Sequence, residues 1–189
     1  MLFSVKLDKS FYERDTIEVA QSLLGCLLVS EIGGKNKRTS GIIVETEAYS
    51  GEKDPASHAF KGMTRRNQIM YGEAGRAYVY LIYGKHHLLN VVTEKAGSPG
   101  AVLIRALKPV DGCETMKERR GSSTSASLTS GPGKLTQALG ITINHYGLDM
   151  TSTIVWIEKY THYAYVQSSP RIGVKDMTPL RFYIKNTHL

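Results

Sequence analysis

The sequence has little of what metal binding or disulfide bonding requires. It contains only two cysteines, Cys26 and Cys113, which form no Cys-x-x-Cys pair and have no histidine at zinc-ligand spacing. His86 and His87 are adjacent, so a strand would send their rings to opposite faces, away from a common metal ion. We therefore expect neither a disulfide framework nor a metal site.

Long apolar runs and several catalytic motifs are absent as well. No stretch has the length of a membrane-spanning helix, and the first residues lack the layout of a secretory signal. There is no Gly-x-Ser-x-Gly elbow and no cysteine in a reactive setting, so acyl transfer has little support. We expect residues 1–189 to form a single domain that is located in the cytoplasm and has no membrane partner.

Acidic residues are in the minority. The chain has 24 Lys and Arg against 17 Asp and Glu, for a net charge of +7, and its isoelectric point is about 9.4. Such an excess favours polyanions, because Lys and Arg that neutralise phosphates release condensed counterions. Nucleic acid is therefore the first candidate partner, although net charge alone does not separate DNA from RNA or from an acidic protein.

Strand patterns dominate the chain, with two helix signals between them. Asp15-Thr-Ile-Glu18 has the spacing of a helix N-cap box, and Gly25 suits the end of that helix. A second helix is predicted after Ser130-Gly-Pro-Gly133, with Leu135, Ala138 and Leu139 on its apolar side and Gly140 as its cap. Strands are predicted at 26–30, 41–49, 78–83, 88–93, 101–106, 153–158 and 180–184, one short helix within 50–75, and a surface loop at 121–127. This order predicts a mixed α+β fold, because it lacks the regular alternation of a doubly wound sheet.

The strand at 41–49 carries two carboxylates. Alternation would place Ile43, Glu45, Glu47 and Tyr49 on one face of this strand. A charged row on a half-buried strand is usually its solvated face, so local pattern alone does not make a site. Paired acids also suit a glycosidase that acts on sugars, but one strand can hardly flank a glycosidic bond from both sides.

The predicted hairpin at 78–93 combines tyrosines with basic residues. Its tip carries Tyr83 beside Gly84 and Lys85, with His86 next. A ring stacked on an exposed base contributes about 1 to 3 kcal/mol, and an aromatic wedge can hold a duplex open. Strand propensity explains the other tyrosines of the hairpin, but it does not explain a tyrosine at the tip.

The glycines at 130–135 resemble two phosphate-binding patterns without matching either. A nucleotide-binding loop needs glycine where Leu128 stands and Ser or Thr where Leu135 stands. The hairpin of helix-hairpin-helix repair enzymes also offers glycine amides to phosphate, but the strands on both sides argue against an all-helical fold. In either case the start of this helix could bind a phosphate.

Seven motifs occur in the order found in one enzyme family. They are Val44-Glu-Thr-Glu-Ala-Tyr49, Asp54-Pro-Ala-Ser-His58, Thr64-Arg-Arg-Asn67, Tyr78-Val-Tyr-Leu-Ile-Tyr-Gly84, Asn90-Val-Val92, Ala101-Val-Leu-Ile-Arg-Ala-Leu-Lys-Pro109 and Gly131-Pro-Gly-Lys-Leu135. Leu23-Leu-Gly25, Arg171-Ile-Gly173 and Pro179-Leu-Arg-Phe182 extend the match to nearly the whole chain. The sequence closely resembles the alkyladenine (methylpurine) DNA glycosylase family.

The resemblance implies a monofunctional enzyme of base excision repair. It would flip a damaged purine out of duplex DNA and hydrolyse the N-glycosidic bond, leaving an abasic site. The implied substrates are 3-methyladenine, 7-methylguanine, hypoxanthine and ethenoadenine. The implied fold is a single mixed domain around a curved antiparallel β-sheet, with flanking helices and a protruding hairpin. The resemblance implies no metal or organic cofactor. We expect a monomer that binds double-stranded DNA containing damaged purines and so associates with the nucleoid.

The resemblance also implies site residues. Glu47 would be the general base that deprotonates a water, and Arg105 would hold that water and Glu47 in place. Tyr49 would stack on one side of the flipped base, and Asn90 would crowd the amino group of guanine. The base-binding residues are Tyr49, Ala56, His58, Tyr80 and Asn90, the intercalating residue is Tyr83, and the DNA-backbone contacts are Arg65, Arg66, Lys85 and Lys134. Glu45 has no matching catalytic role, so we expect it to be structural or solvated.

Two residues depart from the family pattern. Lys85 stands where methionine is common, so it could reach a phosphate, and Thr136 replaces a common cysteine, which we expect to change packing only. Two rival functions remain open. A non-catalytic single-strand binder could stack bases on Tyr78, Tyr80 and Tyr83, but it leaves Glu47 unexplained. A bifunctional lyase needs an amine nucleophile, and no lysine lies beside Glu47 in its motif.

Overall fold

The computed structural model describes residues 5–121, 127–161 and 165–185. Its helices are α1 (Lys9–Tyr12), α2 (Thr16–Ser22), α3 (Cys113–Arg120) and α4 (Pro132–Leu139). Its strands are β1 (Leu27–Ser30), β2 (Thr39–Tyr49), β3 (Ala77–Ile82), β4 (His86–Thr93), β5 (Gly100–Asp111), β6 (Val155–Glu158), β7 (Val166–Ser169) and β8 (Arg181–Ile184). Within those ranges, no helix is both long and apolar enough to cross a membrane.

The two predicted helices form where their local signals lie. The Asp15 side chain accepts hydrogen bonds from the amides of Ile17 and Glu18, which caps α2. Helix α2 ends at Ser22, earlier than predicted, and Gly25 turns the chain towards β1 at a φ of 89°. Helix α4 buries Leu135, Ala138 and Leu139 as predicted, and Gly140 ends it in the left-handed conformation.

The strands form one antiparallel sheet of eight strands in which β2 is central. The main order is β3-β4-β5-β2-β1-β6, and β8 pairs with both β2 and β7. The first half of β2 pairs with β1, and its segment 45–47 pairs with β8, while β5 runs along its other edge. The sheet curls into a half-barrel, which confirms the predicted mixed fold with a curved antiparallel sheet.

The register between β2 and β5 is irregular at the two glutamates. Ile43 pairs with Leu107, Glu45 with Ala106 and Thr46 with Ile104, so Val44 on β2 and Arg105 on β5 have no direct partner. Such bulges bend a strand and redirect its side chains. The expected alternation therefore does not run through the whole strand, and Ile42, Ile43 and Val44 all lie in the core.

Helix α4 packs against the hairpin formed by β3 and β4. The Thr136 hydroxyl donates a hydrogen bond of 2.7 Å to the carbonyl of His87, and a Cβ on Gly133 would lie 3.0 Å from the Cβ of His86. The expectation that Thr136 changes packing only is therefore incomplete, because its hydroxyl ties α4 to β4. This contact fixes the start of α4 beside the hairpin.

Several elements are absent from the sequence prediction. Helices α1 and α3 and strand β7 were not predicted, and 50–75 holds two 3-10 turns, Gly51–Lys53 and Gln68–Tyr71, instead of one short helix. Helix α3 has no side-chain cap and buries only Met116, so it lacks both common helix signals. Within the surface loop predicted at 121–127, residues 122–126 lie outside the described ranges.

Candidate active site

Glu47 lies at the centre of a buried polar network on β2. Its Oε1 accepts a hydrogen bond of 2.8 Å from the amide of Ile172 and lies 3.3 Å from Arg105 Nη1. Its Oε2 accepts a hydrogen bond of 2.8 Å from the hydroxyl of Tyr49. The residue is 0% exposed. A buried carboxylate requires such donors, because burial without them would strongly disfavour its charge.

Glu45 is bound on the same side of β2 as Glu47. Its Oε1 accepts from Arg105 Nε at 3.0 Å and from Arg181 Nη1 at 2.9 Å. Arg105 therefore bridges the two glutamates through different nitrogens of one guanidinium. Glu45 is not a freely solvated acid, since its side chain is only 19% exposed and is paired with two arginines.

Arg171 contacts this network through Tyr49, and its role was not predicted from the sequence. Its side chain is 0% exposed and forms a two-pronged ion pair with Asp54, with a further bond of 2.9 Å to Asp176. Burial opposes its charge, but the bonds to Asp54 outweigh that effect and raise the pKa of Arg171. Its guanidinium also stacks 4.8 Å from the centre of the Tyr49 ring.

Tyr49 connects the network to an aromatic pocket. Burial and the adjacent Glu47 carboxylate raise the pKa of Tyr49 above its usual value. The hydroxyl therefore stays protonated at neutral pH and can donate to Glu47. One face of the Tyr49 ring rests on Arg171, and the ring also lines the pocket.

The pocket brings together all five residues that we predicted to bind the base. Its volume is about 410 Å³ including its open mouth, and it is lined by Tyr49, Ala56, His58, Met70, Tyr78, Tyr80, Asn90, Ala101 and Val174. Met70, Tyr78, Ala101 and Val174 were not predicted as lining residues. Tyr78 and Ala101 belong to motifs that carry the resemblance, and Met70 and Val174 lie close to such motifs in the sequence.

His58 is held by two tyrosines. Its Nδ1 lies 2.7 Å from the Tyr78 hydroxyl, and its ring meets the Tyr80 ring edge-on at 4.7 Å between centres. Although the residue as a whole is exposed, partial burial of the imidazole and the charge of Arg66 lower the pKa of His58 to about 4. The ring is therefore neutral at neutral pH.

Asn90 forms the pocket wall beside Tyr78. The residue is 3% exposed, and its Nδ2 donates a hydrogen bond of 3.1 Å to the carbonyl of Tyr78 across the strand pair. That bond fixes the direction of the amide group. Asn90 is therefore a fixed part of the lining. Its exclusion of guanine, which the family resemblance implies, stays a prediction.

A groove of about 1070 Å³, including the open space at its mouth, continues from the pocket. Tyr49, Tyr80 and Val174 line both depressions, and the groove also contains Arg105, Tyr83 and Lys134. Its walls come from the hairpin, the start of α4 and the segment 172–174. The pocket, the hairpin tip and the helix start thus border one continuous depression, which the buried network reaches through Tyr49 and Arg105.

Tyr83 occupies the tip of the hairpin, as predicted. The Lys85 amide donates to the carbonyl of Ile82 at 3.1 Å, and both Tyr83 and Gly84 have positive φ values of 52° and 63°. This conformation is unusual for a tyrosine and directs the chain through a tight turn. The residue is 90% exposed.

The predicted DNA-backbone residues are distributed unevenly. Lys134 lines the groove, and the Arg66 guanidinium lies 4.9 Å from the centre of the Tyr80 ring. Lys85 lines a neighbouring cleft with His86 and His87. Arg65 is exposed and belongs to neither lining. The described residues contain no cluster of three or more His, Cys, Asp or Glu side chains suited to a metal ion.

Known proteins resemble this chain over most of its length. The family model described as methylpurine-DNA glycosylase (MPG) matches residues 10–188. The chain is 47% identical over 178 residues to a protein of Chlorobaculum tepidum, covering 93% of this chain and 84% of that protein. It is 47% identical to a protein of Chlorobium phaeobacteroides and 46% identical to one of Methanoculleus marisnigri, covering 96% of this chain and 93% and 96% of those proteins. All three carry the name "Putative 3-methyladenine DNA glycosylase".

The family match and the relatives point to the same enzyme class. A DNA glycosylase is a hydrolase of N-glycosyl bonds, and methylpurines are alkylated bases that DNA repair removes. The match includes every element that forms the pocket and the buried network, because all of them lie between residues 10 and 188. This chain therefore belongs to the methylpurine-DNA glycosylase family.

Proposed function

We propose that this DNA glycosylase hydrolyses the bond between a flipped, damaged purine and its deoxyribose with a water that Glu47 activates. The observation that carries the proposal is that Glu47 lies 3.3 Å from Arg105, which lines the basic groove, and accepts a hydrogen bond from Tyr49, which lines both the groove and the aromatic pocket. A base seated in the pocket would place its sugar beside these two residues.

The chemistry suits these groups. As the bond between C1′ and the purine nitrogen breaks, the electron pair leaves with the base and positive charge develops on the sugar. The Glu47 carboxylate stabilises that charge, accepts a proton from the attacking water and so allows the new C1′–O bond to form. Arg105 pairs with the carboxylate and holds the water. The 3-methyladenine and 7-methylguanine nucleotides carry positive charge on the ring, so these purines leave readily as neutral bases, whereas hypoxanthine and ethenoadenine are uncharged and must take up a proton from solvent as they leave.

Ring stacking explains how one pocket could accept several lesions. Tyr49 would contact one face of the base, with His58 and Tyr80 on the other side. Neutral His58 imposes no charge repulsion on a cationic alkylated purine, which also stacks well on electron-rich rings. Asn90 would crowd the exocyclic amino group of guanine and so disfavour the normal base. The substrates that we propose are 3-methyladenine, 7-methylguanine, hypoxanthine and ethenoadenine.

The exposed tip of the hairpin supplies a means of base flipping. Tyr83 would enter the duplex where the damaged nucleotide leaves and offset part of an unstacking cost of a few kcal/mol. Lys134 in the groove, together with Arg65, Arg66 and Lys85 nearby, would contact phosphates. We propose that one copy of the chain, as a single domain, binds duplex DNA in this way.

Release of free base tests the proposal directly. Purified protein is incubated with duplexes that each contain one of the four damaged purines, and both free base and abasic sites are measured. We expect both products from at least one lesion. A protein that binds these duplexes without releasing base would be a binding module instead. A DNA adduct trapped by borohydride would replace the water mechanism with that of a bifunctional lyase.

A further inference from the structure

Glu45 differs from a surface acid in how it is held. One of its oxygens, Oε1, accepts from two arginines that come from different strands, Arg105 on β5 and Arg181 on β8. Arg181 is fixed in turn, because its Nε donates a hydrogen bond of 2.8 Å to the Ser169 hydroxyl. Glu45 is thus anchored on one side and binds Arg105 on the other.

Arg105 uses separate edges of its guanidinium for the two glutamates. Nε binds Glu45 at 3.0 Å, and Nη1 lies 3.3 Å from Glu47. A guanidinium is a rigid planar fork, so a bond at Nε determines the direction of both Nη groups. The shorter of the two contacts is the one to Glu45. The irregular pairing of β2 and β5 at this point lets one arginine meet both acids.

We propose that Glu45 is a positioning residue for catalysis, which acts by fixing the guanidinium of Arg105 in the orientation that serves Glu47. The inference rests on the proposed function, in which Arg105 holds Glu47 and the water. Glu45 itself touches neither the reacting atoms nor the base pocket. When Glu45 is removed, Nε of Arg105 loses its acceptor, and Glu47 is the nearest remaining carboxylate. The guanidinium then turns towards Glu47 and leaves the orientation that it has in the groove.

Loss of Glu45 should slow the chemical step and leave lesion binding intact. With Glu45→Ala we expect the single-turnover rate of base release to fall about 30-fold, since misplaced catalytic groups commonly cost about tenfold to a hundredfold. The Kd for the lesion duplex should change less than about threefold. Glu45→Gln keeps an acceptor oxygen for Nε of Arg105. Its rate of base release should therefore be only about fivefold below that of the wild type.

Glu114→Gln is a matched control for the loss of one negative charge. Glu114 lies on α3, is paired with Lys117 and has an 87% exposed side chain. Removing any acid from a basic protein strengthens DNA binding slightly. The control should therefore show the same small change in Kd with an unchanged rate of base release.

A double-mutant cycle separates positioning from general structural support. Because Glu45 acts through Arg105, adding Glu45→Ala to Arg105→Met should slow base release by less than about twofold. If the rate of the double variant is reduced by the product of the two single losses, the inference is overturned. A wild-type rate of base release in Glu45→Ala would overturn it as well. If Glu45→Ala does not fold, the same cycle is measured with Glu45→Gln. Absence of base release by the wild-type protein would instead contradict the proposed function.

Discussion

Two regions of the site are held in opposite ways. One is the network of Glu45, Glu47, Tyr49 and Arg105, here called the floor of the groove because Tyr49 and Arg105 line it, and the other is the tip of the hairpin. Glu47 on the floor is completely buried and receives hydrogen bonds from Ile172 and Tyr49 beside the charge of Arg105. Tyr83 at the tip is 90% exposed. Among the residues that the structure describes, no hydrogen bond or ring contact holds its side chain.

The difference corresponds to what each region has to do in the proposed function. Catalytic groups stabilise a transition state most effectively when their dipoles and charges are fixed before the substrate arrives. A wedge needs the reverse, because its ring finds a packing partner only when a base has left the duplex. Substitutions in the floor should therefore lower the free energy of unfolding and the rate of base release. Substitutions at the tip should weaken DNA binding alone.

The largest effect on stability is expected at Arg171, whose guanidinium stacks on Tyr49 of the floor. Arg171→Met leaves Asp54 buried without its two-pronged partner, and breaking a buried ion pair costs about 3 to 5 kcal/mol. Denaturant unfolding of the purified variant measures this loss. Arg76→Met is the control, because Arg76 is a third exposed in its ion pair with Glu73 and should lose less than about 1 kcal/mol. Equal losses of unfolding free energy in both variants would contradict the claim that the floor is rigidly held.

A smaller effect, confined to binding, is expected at the tip. Tyr83→Ala removes a ring whose stacking contributes about 1 to 3 kcal/mol, so the Kd for a lesion duplex should rise about tenfold. Binding of the same lesion in single-stranded DNA should change little, and the free energy of unfolding should stay within about 0.5 kcal/mol of the wild type.

Tyr165→Ala is the control for the tip, since Tyr165 is 83% exposed and does not line the groove. It should leave both affinities unchanged. Equal losses of duplex and single-strand affinity in Tyr83→Ala would rule out a wedge, and a large loss of stability would remove the contrast between tip and floor.

The smallest effect is a pH dependence at His58, between the two regions. Its pKa is lowered to about 4 by burial and by Arg66, whereas an unfolded histidine titrates near 6.5. Between these values the unfolded chain binds a proton that the folded chain does not, so this group lowers stability as the pH falls from about 6.5 to about 4. His58→Gln should therefore lose stability less steeply than the wild type over this interval. Parallel curves would contradict a neutral His58.

Local patterns predicted the parts of the fold whose causes are local. The Asp15 cap, the Gly140 helix end and the tight turn at Tyr83 depend on a few neighbouring residues, and each formed where it was predicted. Helix α3 escaped prediction because only Met116 is buried and a glycine precedes it. The bulge at Val44 also escaped, since it arises from pairing with β5.

The site was predicted through a family resemblance, and its supporting contacts were not. The pocket gathers the five expected base-binding residues. The sequence did not reveal that Ile172 donates its amide to Glu47, because every residue except proline carries that group. Nor did it show that Arg171 stacks on Tyr49, because 122 positions, from 49 to 171, separate the two. Contacts between segments that are distant in the sequence can be identified only once the fold is known.

The central claim is that Glu47 activates the water, and one substitution tests it. Glu47→Gln retains the size of the side chain and an acceptor oxygen for Tyr49 or Ile172, but a neutral amide cannot accept the proton. We expect single-turnover release of the damaged base to fall by about 10² to 10⁴, the usual contribution of a general base, with the Kd for the lesion duplex within about threefold of the wild type. Base release at the wild-type rate by this variant would contradict the account.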